Sequence, residues 1–185
     1  ALDRAVAKGR LDAAGAAAIR GRLNATDDLA RIAGADLVIE AVFEDLAVKQ
    51  ALLQRLAPLL KDTTLVATNT GALSVDELAR FVPGPARFLG LHYFSPAAVN
   101  KLVEVVRGAA TSPDVYDRAL AFARATGKEP LPCRDGLGFV VNRFFCPSYN
   151  EASRLVDEGH DPAAIDRVAR ATFAAPFGPL AVTNL

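Results

Sequence analysis

The chain has 185 residues, 51% of them apolar and 23% charged, which suits one ordinary domain or a domain with part of another. Its 21 basic and 21 acidic side chains cancel to a formal net charge of zero, so it lacks the overall basic field that nucleic acid or an anionic membrane would need. Two cysteines, Cys133 and Cys146, give neither a disulfide framework nor a ligand cluster and fit a cytoplasmic setting, and no apolar run approaches the ~20 residues that span a bilayer.

Residues 1 to about 23 alternate small apolar and charged side chains at helical spacing, broken at 9–12, which predicts two short helices. Thr26 and Asp28 offer caps for a brief turn ending near Gly34. Residues 37–42 form a short apolar run of strand type, and 45–60 read as an amphipathic helix with Leu46, Leu52, Leu53 and Leu56 inward. A strand at 64–68 follows, then a helix at 74–81 with Ser74 as cap and Glu77 three residues on. Two apolar runs, 88–94 and 101–106, precede a helix at 112–126 and a strand at 129–133. From Gly138 the pattern turns helical, over 139–156 and 162–173, with 134–136 as the hinge. The chain opens on Ala1 inside a helical pattern, has no methionine and stops abruptly at Asn184-Leu185, so it is expected to be a piece of a longer polypeptide.

Strand and helix alternate with short loops from about 36 to 94. That order argues for right-handed crossovers on a mostly parallel sheet. If the runs 88–94 and 101–106 fold back about residue 98, His92 and Glu104 fall opposite each other. A carboxylate facing an imidazole fixes its tautomer and suits the pair to acid–base work near neutral pH. A buried acid among Leu102, Val103, Val105 and Val106 needs a partner. A structural ion pair would satisfy both residues equally well, so the pair by itself only suggests a base.

Thr68, Asn69, Thr70 and Gly71 follow a predicted parallel strand, where open α/β sheets bind ligands, although they are also common turn formers. Glu40 is unusual inside a strand. Glu44 reads equally as first-turn helix charge, and Lys49 by default as a solvated surface residue. Asn142, in the apolar start of a helix, needs a partner, either a ligand or a backbone group. Two histidines 68 positions apart give no metal-ligand spacing, and no Gly-x-Ser-x-Gly elbow is present.

Five segments in order resemble the L-3-hydroxyacyl-CoA dehydrogenase family: Ala35-Asp-Leu-Val-Ile-Glu-Ala-Val-Phe-Glu-Asp-Leu46; Ala67-Thr-Asn-Thr70; Gly90-Leu-His-Tyr-Phe-Ser-Pro96 with Lys101-Leu-Val-Glu104; Asp135-Gly-Leu-Gly-Phe-Val-Val-Asn-Arg143; and Pro176-Phe-Gly-Pro179. The resemblance implies an α/β fold: a partial Rossmann-like, mostly parallel sheet over 1–135, followed by the start of an all-α C-terminal domain over 136–185. It implies NAD-dependent interconversion of 3-hydroxyacyl-CoA and 3-oxoacyl-CoA in fatty-acid metabolism, with His92 as acid–base group, Glu104 orienting it and Asn142 beside it. By the same resemblance Ala41, Glu44, Lys49, Asn69 and Ser95 line the NAD site, and Lys8, Thr70 and Gly71 face an acyl-CoA substrate. A homodimer through the helical domain is expected, with neither nucleic acid nor membrane as partner.

Three departures stand out. The Gly-x-Gly-x-x-Gly unit that cradles the NAD pyrophosphate is absent, so the chain alone is expected to be weak or inactive, with an unpaired sheet position. The family's serine after Asn-Thr is Gly71, for which water, Thr70 or Ser74 would have to substitute. Asn184 stands where an aspartate is usual. The alternatives are a related NAD-dependent hydroxyacid dehydrogenase, or a non-catalytic CoA/NAD-binding or assembly module.

Overall fold

The computed structural model describes residues 2–175 and 177–182; Pro176 and Asn184 lie outside them. Two short helices open the chain, α1 (Leu2–Ala7) and α2 (Ala13–Arg20), the second capped by Asp12, which accepts from the Gly15 amide at 2.6 Å. Five strands follow: β1 (Leu37–Glu40), β2 (Leu65–Thr68), β3 (Phe88–Tyr93), β4 (Leu102–Arg107) and β5 (Glu129–Arg134). They form one sheet in the order β1-β2-β3-β4-β5, parallel except for the β3–β4 pair.

Helices cover both faces of that sheet. Between the strands run α3 (Leu46–Leu56), α4 (Val75–Ala79) and α5 (Pro113–Ala125). Alternation along each strand divides the core in two. Val66, Phe88 and Val106 point to one side and pack with Leu53, Val75 and Leu78. Leu65, Ala67, Leu89, Leu91, Val103 and Val105 point to the other and pack with Val115, Ala119 and Ala123 of α5. Burial on two sides explains why the central strands read as unbroken apolar runs.

Several elements are shorter than the sequence pattern predicts, each for a local reason. The first strand stops at Glu40 because the Val42 amide donates to the Glu40 carboxylate, 2.7 Å, instead of to a neighbouring strand. The helix expected over 45–60 ends at Leu56 and tightens into a 3-10 turn, Ala57–Leu59, around Pro58. The helix expected over 139–156 starts at Val141, since Gly138 (φ 69°) and Phe139 (φ 43°) both adopt left-handed backbone. It forms α6 (Val141–Asp157), followed by α7 (Pro162–Phe173) and a short α8 (Pro179–Val182) not foreseen from the pattern. Asp166 on α7 accepts from the Leu180 and Ala181 amides and so docks α8.

Candidate active site

Antiparallel pairing of β3 with β4 sets His92 opposite Glu104. The ring Nδ1 lies 2.7 Å from Glu104 Oε2, and the Glu104 side chain is fully buried. Its other oxygen accepts from the Val140 and Val141 amides at 2.9 and 2.8 Å. Those amides begin α6, whose N-terminus favours a negative charge. Burial pushes the Glu104 carboxyl upward, but the bonds from His92 and the two amides outweigh it and hold the group below the usual carboxylate range. An ionised carboxylate only accepts, so Nδ1 carries a proton toward Glu104, and in the neutral ring the lone pair is on Nε2.

Nε2 faces Gly71. A β-carbon built on Gly71 would lie 2.7 Å from Nε2 and 3.3 Å from Asn142 Nδ2, so imidazole and amide converge where the glycine has no side chain. Asn142 Nδ2 donates to the Gly71 carbonyl at 3.0 Å, which answers the partner question the sequence raised. Phe94 and Phe139 flank the ring, with centroids 4.5 and 6.0 Å from it. Neither side chain expected to substitute for the family's serine is free: Ser74 Oγ donates to Asp135 Oδ2 and caps α4, and the Thr70 hydroxyl donates to Glu44.

The default reading of Lys49 as a solvated residue is wrong. Its side chain is 1% exposed. Nζ donates to Glu40 Oε1 at 2.8 Å and to the Val42 carbonyl at 3.2 Å, and it pairs with Glu44 Oε2 at 3.2 Å. Glu40 also accepts from the Thr68 hydroxyl at 2.7 Å. A lysine on the inward face of α3 reaches this acid at the end of β1 because the loop between them turns the chain back, a relation no local pattern contains. Glu44 is not helix charge either. It precedes the Asp45 cap of α3, and Oε1 accepts from the Thr70 hydroxyl and the Gly71 and Ala72 amides. Burial raises its carboxyl, while the bonds from Thr70, Lys49 and Ala72 bring it below the usual range.

Asn142, Gly71, Thr70, Glu44 and Lys49 therefore form one bonded network, and the His92–Glu104 pair packs against it at Gly71. Asn69 borders it, accepting from the Tyr93 amide at 2.8 Å. Ala41 is exposed just past β1. Ser95 is exposed in the loop after β3, where the Asn100 amide donates to its carbonyl at 2.6 Å. Lys8 stands exposed after α1, and no described side-chain bond joins it to the network. The sequence reading missed the Val140 and Val141 amides, since backbone donors leave no residue signature; the Gly138-Phe139 break before an apolar helix was the available hint. Among the described residues no group of three or more His, Cys, Asp or Glu side chains could hold a metal. No described helix is long and apolar enough to cross a membrane.

A mostly parallel sheet with helices on both faces, a His–Glu pair across two of its strands and a helical segment after it define a Rossmann-like NAD-binding domain leading into an all-α region. The chain belongs to the 3-hydroxyacyl-CoA dehydrogenase family: residues 1–136 match its NAD binding domain and residues 138–185 its C-terminal domain. It is 40% identical over 185 residues to the 3-hydroxyadipyl-CoA dehydrogenase of Escherichia coli, covering all of this chain and 39% of that protein. The fatty acid oxidation complex subunit alpha of Shewanella oneidensis is 36% identical over 183 residues, 99% of this chain and 26% of that subunit. The crystal structure of (S)-3-hydroxybutyryl-CoA dehydrogenase from Ralstonia eutropha superposes with a TM-score of 0.91 at 34% identity, over 98% of this chain and 64% of that one. The chain thus spans less than two thirds of the length of each of these relatives.

Proposed function

We propose that the protein is an NAD-dependent oxidoreductase interconverting 3-hydroxyacyl-CoA and 3-oxoacyl-CoA in fatty-acid metabolism, with His92 as its acid–base group. The observation that carries this reading is the His92–Glu104 bond of 2.7 Å with Nε2 turned toward the bare Gly71. Hydride loss from C3 is unfavourable while the hydroxyl keeps its proton. In oxidation His92 Nε2 takes that proton, and in reduction it returns it, a contribution of about 10²–10⁴-fold. Glu104 holds the ring in the useful tautomer and stabilises the imidazolium that forms. Asn142 spends one N–H on the Gly71 carbonyl and offers the other to the substrate oxygen.

The surface past the strand ends fits a dinucleotide. Ala41 and Glu44 follow β1, Asn69 follows β2 and Ser95 follows β3, the side of an open α/β sheet where nucleotides sit. Glu44 is 42% exposed there with Lys49 behind it, and Gly71 leaves a notch that a β-carbon would fill. NAD, when bound, supplies the hydride acceptor. Thr70, Gly71 and Lys8 are assigned to the acyl-CoA side. Residues 1–135 serve as the cofactor-facing domain and 136–185 as the start of the helical one, and the intact protein works in the cytoplasm as a homodimer. Exposed Phe144, Phe145, Val168 and Phe173 on α6 and α7 support pairing through that region.

NADH consumption with acetoacetyl-CoA, followed in the intact protein and in His92→Gln, tests the reading. Loss of several orders of magnitude in kcat is expected, and equal rates overturn it.

A further inference from the structure

We infer that Glu44 is a positioning residue: its carboxylate, braced from below by Lys49, holds the turn at 70–72 on which His92 and Asn142 converge. This rests on the reading of His92 as the acid–base group. The turn joins β2 to α4 and is made of small residues. Within it the only side-chain anchor is the Thr70 hydroxyl, which accepts from the Ala72 and Leu73 amides at 3.3 and 2.9 Å. From outside, Thr68 Oγ1 accepts from the Thr70 amide at 3.3 Å, Asn142 donates to the Gly71 carbonyl, and Glu44 makes three bonds. One of its oxygens accepts from the Thr70 hydroxyl and, at 3.1 Å each, from the Gly71 and Ala72 amides.

The other oxygen meets Lys49 Nζ at 3.2 Å, and Lys49 is fixed by Glu40 and the Val42 carbonyl inside the fold. The brace therefore runs from a buried ion pair, through Glu44, to the peptide units around Gly71. Those units meet the reacting groups directly. The Gly71 carbonyl holds Asn142, and the open side of its α-carbon is where Nε2 packs. A carboxylate needed only to touch a bound cofactor would not commit both oxygens to the protein. Without it the turn keeps the Thr68 and Thr70 hydroxyls and the Asn142 amide as anchors, but the amides of Gly71, the most permissive residue type, and Ala72 lose their carboxylate acceptor. A displacement of roughly 1 Å at a reacting group costs on the order of 10²-fold in rate.

The test compares Glu44→Ala, Glu44→Gln and Thr70→Val in the intact protein, with labelled histidine and asparagine followed by NMR alongside kinetics. Glu44→Ala is expected to move the His92 ring and Asn142 amide signals and to lower kcat about 10–100-fold, with KM for NADH changing less. Glu44→Gln keeps an acceptor for the two amides and recovers part of both effects. The spectra need no turnover. An inactive wild-type protein sinks the functional reading, while the ring and amide signals still decide the positioning. Unmoved signals in Glu44→Ala, or a rise in KM for NADH alone, overturn the inference and leave Glu44 a cofactor contact. Should Glu44→Ala fail to fold, unmoved signals in both Glu44→Gln and Thr70→Val overturn it equally.

Discussion

Glu104 reaches His92 across the only antiparallel strand pair of the described sheet, and the amides opening α6 take its second oxygen. The same carboxylate thereby joins the sheet to the helical region and fixes the orientation of the imidazole.

Glu104→Gln is expected to lower kcat about 10²–10⁴-fold, because a neutral amide neither sets the tautomer nor stabilises the imidazolium. A stability effect accompanies it. The folded-state carboxyl is held below the ordinary glutamate value of 4.5, so Glu104 stabilises the fold fully above that pH. As pH falls through the depressed value, the unfolded chain gains a proton before the native one and the contribution is lost. Denaturant unfolding at several acidic pH values should show a shallower decline in Glu104→Gln than in the wild type.

At Gly71, Ala and Ser separate space from chemistry. An added β-carbon meets Nε2 at 2.7 Å, and Glu104 restrains the ring from retreating. Gly71→Ala is expected to slow turnover about 10-fold or more. Gly71→Ser carries the same carbon with a hydroxyl able to bond the substrate oxygen, so its kcat should exceed that of Gly71→Ala. The reverse order would show that crowding alone governs the position.

Lys49→Met leaves Glu40 buried without its cation. A loss of about 3–5 kcal/mol of unfolding free energy is expected, the usual cost of breaking a buried pair from one side. Glu40→Gln combined with Lys49→Met removes both charges and should be less destabilised than Lys49→Met alone. A thermal or urea melt of the wild type and the two variants decides it.

The cysteines should differ toward alkylation. Burial, with Glu104 and Asp135 nearby, pushes the Cys133 thiol up to about 12, and its Sγ contacts the Val105 carbonyl at 3.6 Å. Cys146 is exposed on α6. Iodoacetamide at neutral pH, followed by peptide mapping, should label Cys146 and spare Cys133 in the folded protein.

Much of this was legible in the sequence, because it rests on periodicity and short spacings. Apolar runs separated by helical stretches determine the five strands and their crossovers, and a capping residue such as Ser74 marks where a helix begins. The turn near residue 98 is enough to pair His92 with Glu104, since a hairpin register follows from the length of its connection. Tertiary structure alone decided the rest. Lys49 looks like any solvated helix lysine until β1 places Glu40 beneath it, and Glu44 looks like helix charge until the turn after β2 arrives with its amides. Asn142 finds Gly71 across a wide gap in sequence, and Glu104 finds two amides that carry no side-chain signature. Such contacts depend on how the chain brings strand ends and helix starts together, and the low cost of an unpaired polar group in water leaves no trace of them until burial makes a partner necessary.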